Sequence, residues 1–228
     1  MVDHSGAKET RLCIVSLIGK SSLFEQQCNK SWKLNQLIQI PTFQQKSSEP
    51  TADDFEYYYD RLNNTIYVHL CSFHDTYQLR HLSNEIGEDS SMQNFSQLWE
   101  SKQANFIKKC LICFLLSHII IISHSSHIFD LNYLRFFRII ESLRHKSKPI
   151  VLDLIHSLNL FQETDPILDD GRLCVPRALF IFENHQKGNE TTGAVDREED
   201  QKLLGMARNL EDMIFNALRS SYVISNQT

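Results

Sequence analysis

The sequence predicts one α/β domain, built on a mostly parallel sheet with helices on both faces. Three observations carry that reading. Short, continuous apolar runs occur at 12–18, 65–71, 119–122 and 178–182, and runs of this kind read as strands covered on both sides. Segments with helical apolar spacing separate them, which is the alternation of a parallel sheet with crossover helices. The chain has 228 residues, 42% of them apolar and 22% charged, enough to bury a full core and outside the disordered and fibrous classes.

The elements follow in order. Leu12–Ile18 is rich in β-branched residues and ends at Gly19, a first strand. Leu37–Phe43 reads as a weaker strand stopped near Pro41, and the polar stretch 44–56 as an exposed insertion. Tyr57–Tyr59 suits an edge strand ahead of Thr65–Cys71, with Asn63 and Asn64 supplying the turn of a hairpin. From Met92 to Leu116 the positions of Phe95, Leu98, Trp99, Phe106, Cys110, Cys113 and Phe114 have helical spacing, and Ile119–Ile122 then forms a buried strand. Asp130 can cap a helix whose apolar stripe is Tyr133, Phe136, Phe137, Ile140 and Leu143. Pro149 reads as the opening of a further short helix over Val151, Leu154, Ile155 and Leu158. Ala178–Phe182 looks like another central strand, 184–200 like a polar insertion, and Leu203, Ala207, Leu210, Ile214 and Leu218 mark a last helix. Tyr222–Ile224 could add a final strand. The domain reading is a polar tail at 1–10 followed by one domain over 11–228.

Composition excludes several classes. With 23 basic and 28 acidic residues the formal charge is −5, which argues against a protein that holds nucleic acid by neutralising phosphates over its whole surface. The first residues are polar, with no apolar core of a secretory signal, and the most hydrophobic run, Cys110–Ser123, falls short of the ~20 residues of a membrane span. A cytoplasmic or nuclear location and no membrane partner are the expectation. The 6 cysteines, scattered in apolar contexts, suit reduced thiols better than a disulfide framework.

In a parallel sheet the ligand site lies beyond the carboxyl ends of the strands, so the loops after Ile18, Cys71, Ile122 and Phe182 matter most. After Ile18 comes Gly19-Lys20-Ser21, the tail of a P-loop whose full form is G-x-x-x-x-G-K-[ST]. Counting back, the first glycine would fall at Ile14, inside the strand, and the nearest small residue, Ser16, leaves the loop two residues short. Shortening removes amides of the concave nest that wraps a triphosphate, although Lys20 and a helix N-terminus could still attract an anion. The tripeptide reads equally as a tight strand-to-helix turn followed by a solvated lysine. After the third strand a hydrolase would carry a magnesium-organising Asp and a nearby glycine; Asp75 comes too late, and no glycine occurs before Gly87. After Phe182 stands Asn184-His185-Gln186-Lys187 in place of the Asn-Lys-x-Asp clamp of guanine-specific proteins.

Other chemistries find little support. Cys110 and Cys113 sit in an apolar helical run without a second pair, and His124 with His127 does not make a closed zinc site, so no metal is expected. No G-x-S-x-G elbow is present. The histidine-rich stretch 118–127 leaves open a small-ligand or nucleic-acid-binding domain, and an active NTPase with an unusual loop also stays open.

The shortened P-loop remnant, the stretch His118–Asp130, the helix beginning Tyr133-Leu134-Arg135-Phe136-Phe137-Arg138, and the closing Leu210-Glu211-Asp212 with Ser225-Asn226-Gln227 together resemble the N-terminal G-like domains of the eighth-Smg family of nonsense-mediated mRNA decay. The resemblance runs from Leu12 to Thr228. It implies a degenerate P-loop GTPase-like fold without GTPase activity, hence no catalytic residue. It also implies a heterodimer with the related ninth Smg protein, which would be the nucleotide binder, and restraint of the phosphatidylinositol-3-kinase-related kinase of the pathway. Gly19, Lys20 and Ser21 are then the remnant of a nucleotide site, with no cofactor of the chain's own.

Overall fold

The computed structural model describes residues 11–20, 30–43, 55–70, 92–126, 128–158, 171, 173–182 and 197–220. The five described strands form one sheet in the order β2-β3-β1-β4-β5: β1 Cys13–Gly19, β2 Phe55–Asp60, β3 Thr65–Leu70, β4 Ile119–His124 and β5 Arg177–Phe182. β1 runs parallel to β3 and β4, β4 runs parallel to β5, and β2 alone is antiparallel, joined to β3 as a hairpin. The described helices are α1 Lys30–Ile38, α2 Met92–Leu116, α3 Asn132–Ser157 and α4 Arg197–Ser220. The expected α/β class and mostly parallel sheet are present.

Side-chain alternation along the strands gives the sheet two cores. Val15 and Leu17 of β1, Tyr67 of β3 and Ile121 of β4 bury themselves against Leu34 of α1 and Phe43. On the opposite side, Ile18, Leu70, Ile120 and Ile122 meet Cys110 and Cys113 of α2 and Phe137 and Ile140 of α3. Helices therefore cover both faces. The buried hydroxyls of Ser16 and Ser117 satisfy one another at 2.7 Å, so neither polar group is stranded beneath α2.

The hairpin turn is built by side chains that replace missing backbone partners. Asp60 accepts the Leu62 N–H at 2.9 Å and the Asn63 amide at 2.7 Å, and Asn64 adopts the left-handed conformation at φ 47° that asparagine tolerates.

Four expectations need correction. Residues 37–43 are not a strand: Leu37 and Ile38 end α1, and Gln39 turns the chain at φ 55°. Asn35 then holds the returning segment, its Oδ1 accepting the Thr42 and Phe43 N–H groups at 3.0 and 3.2 Å and its Nδ2 donating to the Phe43 carbonyl at 2.8 Å. That side chain supplies the pairing a strand would have needed from a neighbour. Pro149 opens no new helix, because α3 runs unbroken through it from Asn132 to Ser157; it lies on the exposed side of the helix, so the carbonyl it leaves free is not sealed in the core. Among the described strands, β5 is at the edge and not central, and its first three residues are exposed. The proposed insertions are shorter than expected, since Phe55 and Glu56 belong to β2 and 197–200 to α4; the remainder of both insertions and Tyr222–Ile224 lie outside the described residues.

Helix α4 carries its expected stripe but buries little of it. Ile214 is buried and Leu218 reaches the core, whereas Leu203, Leu204, Met206, Met213 and Phe215 are all exposed.

Candidate functional site

β1 ends where glycine is obligatory. Gly19 has φ +112°, and a Cβ placed there would lie 2.2 Å from the Ser123 carbonyl oxygen, so no other residue fits without moving β1 away from β4. The two strands touch backbone to backbone at their carboxyl ends, and the Lys20 N–H donates to the Ser123 carbonyl at 2.9 Å. The helix that follows β1 lies on one face of the sheet, while α3, which follows β4, lies on the other. Adjacent strands whose helices depart to opposite faces leave a crevice between them, the place where α/β sheets bind ligands.

Lys20 reaches across that crevice. Its Nζ lies 2.9 Å from Asp130 Oδ2, at the entrance to α3. Asp130 is fully engaged: its Oδ1 accepts the Asn132 backbone N–H at 2.9 Å and the Asn132 side-chain amide at 2.8 Å. The N-cap position of α3 is Leu131, which offers no side-chain cap, and Asp130 one residue earlier instead accepts the N–H of Asn132, the first residue of the helix, where a carboxylate also suits the positive helix end. Burial pushes the Asp130 carboxyl up, but the Lys20 and Asn132 hydrogen bonds and the Lys20 charge outweigh it and hold the group below its ordinary value. Lysine and aspartate here neutralise each other, so the one cation of the Gly19-Lys20-Ser21 stretch is already committed.

Beyond this pair the crevice opens between α2 and α3 with a volume of about 480 Å³. Phe106, Ile107, Phe136 and Ile139 give it apolar walls, Ile18 and Gly19 stand at its base, and Gln103, Asn132 and Arg135 bring polar groups to its rim. The volume lies within the roughly 300–1,000 Å³ usual for ligand pockets.

His124, the last residue of β4, lies buried in an aromatic cluster. Its ring stacks on Phe182 at 4.6 Å and meets Tyr133 at 4.8 Å, with Phe129 at 5.6 Å and Phe180 at 5.9 Å. Burial lowers its pKa to about 4, with Asp130 opposing and Lys20 reinforcing the shift. The ring is neutral at physiological pH, and its Nε2, like the Ser123 hydroxyl, has no hydrogen-bond partner among the described residues. A proton-transfer role is remote for a group so enclosed, and stacking is what this imidazole supplies.

Of Gly19, Lys20 and Ser21, the first two stand at the crevice and Ser21 lies outside the described residues. So do Asp75, His127 and Asn184-His185-Gln186-Lys187. Cys110 and Cys113 are buried in the core beneath the sheet, and burial pushes the Cys113 thiol up to about 11, the behaviour of an inert packing residue. Among the described residues no group of three or more His, Cys, Asp or Glu side chains could hold a metal ion. Sequence reading missed the Lys20–Asp130 pair and the crevice walls. Asp130 was visible as a cap, but nothing local marks it as the partner of a lysine 110 positions earlier.

Comparison with known proteins adds a family. The chain is 27% identical over 237 aligned positions to the nonsense-mediated mRNA decay factor SMG8 of Xenopus tropicalis, covering 97% of this chain and 25% of the frog protein. It is 26% identical to SMG8 of Culex quinquefasciatus, over 96% of this chain and 23% of the mosquito protein. The Drosophila virilis protein of the same name is 24% identical, again over 96% of this chain and 22% of its own length. The chain therefore spans about a quarter of the length of these relatives. A family profile covers residues 7–228, both crevice helices and every described strand included, and on that match the chain belongs to the Smg8_Smg9 family.

Proposed function

We propose that the chain is a catalytically inert G-like module of nonsense-mediated mRNA decay that acts as an assembly and regulatory surface. In this reading it pairs through this domain with the related ninth Smg protein, and together they join and restrain the phosphatidylinositol-3-kinase-related kinase of the pathway, in the cytoplasm. The relatives' naming as mRNA decay factors and the joint family profile support the pathway and the pairing.

The observation that carries the inert reading is the Lys20–Asp130 pair on a strand-end loop two residues short of a phosphate cradle. A triphosphate placed there would have to strip Lys20 from Asp130, and it would face that carboxylate with fewer loop amides to compensate. The chain then has no nucleotide of its own, and any nucleotide of the pair belongs to the partner. Titration of the chain with labelled GTP and ATP in the presence of magnesium tests this: no saturation below millimolar nucleotide is expected. Micromolar binding with turnover that falls on Lys20→Ala would replace it with an active NTPase. Pull-down of the chain with the ninth Smg protein tests the pairing, and failure of the two to associate would remove it.

A further inference from the structure

We propose that the crevice between α2 and α3 is a docking slot for a short acidic and aromatic segment of a partner polypeptide. One large apolar side chain would sit on Phe106, Ile107, Phe136 and Ile139, and an adjacent carboxylate would meet Arg135 at the rim. The proposal rests on the reading above that the crevice holds no nucleotide.

Charge decides the sign of the occupant. Lys20 and Asp130 both line the crevice and cancel each other, and Arg135 forms no ion pair among the described residues. Among its described lining residues the slot therefore carries one uncompensated positive charge, on a chain whose overall charge is −5. An anion repelled by the surface as a whole is accepted here, which gives selectivity as well as attraction. Guanidinium is the group best matched to a carboxylate, through two parallel N–H donors. Gln103 adds an amide group of the kind that pairs with a peptide backbone, whereas the Asn132 amide already donates to Asp130.

Shape decides the class. The slot is bounded by one turn of α2, Gln103 to Ile107, and by two turns of α3, Asn132 to Ile139. It is partly open, so a chain lying across it can insert one side chain. Grooves between helices take peptides in this way, with apolar anchors in the groove and charges at its margin.

The test uses the intact 228-residue chain labelled at isoleucine methyl groups. It is titrated with a capped peptide bearing one phenylalanine between two aspartates, and separately with naphthalene-1-sulfonate. The expected result is saturable movement of the Ile107 and Ile139 methyl signals by the peptide, at roughly 0.1–1 mM for so short a ligand. Arg135→Glu, at an exposed position, should weaken binding about tenfold or more. Gln103→Trp, also at an exposed position, should fill the slot and abolish binding with the melting temperature unchanged. Shifts confined to Ile214 of α4, an Arg135→Glu variant that binds as well as the parent, or binding of naphthalene-1-sulfonate alone would each overturn the proposal. Displacement of the peptide by magnesium and GTP would overturn the inert reading on which it rests. Absence of peptide binding together with absence of nucleotide binding would remove the docking slot and leave the inert reading standing.

Discussion

Lys20 and Asp130 close a 2.9 Å ion pair across the carboxyl ends of β1 and β4, 110 positions apart in the chain. The carboxylate that neutralises the lysine also accepts the first N–H of α3, so one side chain joins the strand-end loop to the helix that walls the crevice. Asp130→Asn should therefore destabilise the fold by roughly 1–2 kcal/mol, chiefly through the weakened hydrogen bond to Asn132 and the unpaired lysine. Lys20→Met should stay within about 1 kcal/mol, because both partners are partly exposed and screened. The pair holds its carboxyl below 3.8, so its contribution is complete above that ordinary value and is lost as pH falls through the lower, folded one. Urea unfolding of the two single variants and the double variant, at pH 7 and near pH 3, checks the magnitudes and the sign.

Gly19→Ala should be among the most damaging single changes. Its added carbon would meet backbone rather than a movable side chain, at a positive φ that alanine disfavours. A loss of about 3 kcal/mol or more is expected, read from the urea midpoint, with far-UV circular dichroism showing whether the variant folds at all.

His124 predicts a distinct pH dependence. Its folded pKa, about 4, lies below the ordinary 6.5, so the unfolded chain takes up its proton first. The stability that its neutral, buried state contributes is complete above about pH 6.5 and is lost progressively as pH falls toward 4, by up to roughly 3 kcal/mol. His124→Phe keeps an aromatic ring in the cluster without a titrating nitrogen. Its stability should fall less than the parent's between pH 7 and 5 in parallel urea titrations, and equal slopes would assign the loss to other groups.

Pro149 stands inside a helix of 26 residues, where proline removes one backbone hydrogen bond and crowds the preceding turn. Pro149→Ala should raise stability by roughly 1–3 kcal/mol, the helix gain being partly offset by the freer unfolded chain. A higher melting temperature by calorimetry is the expected outcome, and a lower one would mean that the turn is already distorted to suit the ring.

Asn35 replaces a missing strand neighbour for Thr42 and Phe43. Asn35→Ala leaves those backbone groups without their partner and should cost about 1–3 kcal/mol, and Asn35→Asp, which keeps the acceptor but sets a carboxylate oxygen against the Phe43 carbonyl, should not restore the parent's stability. Hydrogen exchange at the Thr42 and Phe43 amides reads the effect directly.

What the sequence made visible follows from where burial is continuous. β1, β3 and β4 are runs whose two faces are both covered, so their apolar residues cluster and stand out. Helix α3 shows its stripe because Phe137 and Ile140 must face the sheet. Helix α1 escaped notice since its described apolar contact with the core is led by Leu34 alone, and its polar residues resemble a loop. Pro149 misled because local chemistry places proline at helix starts, while packing on either side of it held α3 together. The hairpin was legible from Asn63 and Asn64, whose turn preference is local. The site was half legible: Gly19 and Lys20 follow from a strand-end motif, but Asp130, Arg135 and the walls from α2 meet them only through the sheet order, and no local pattern encodes that.

The absence of space at Gly19 divides the molecule into rigid and adjustable parts. Main chain against main chain at Ser123 leaves nothing to repack, so the floor between β1 and β4 has a fixed width. What the crevice admits is then adjusted by the side chains that line it, Lys20 and Asp130 among them, and by tilts of α2 and α3 above an unyielding base.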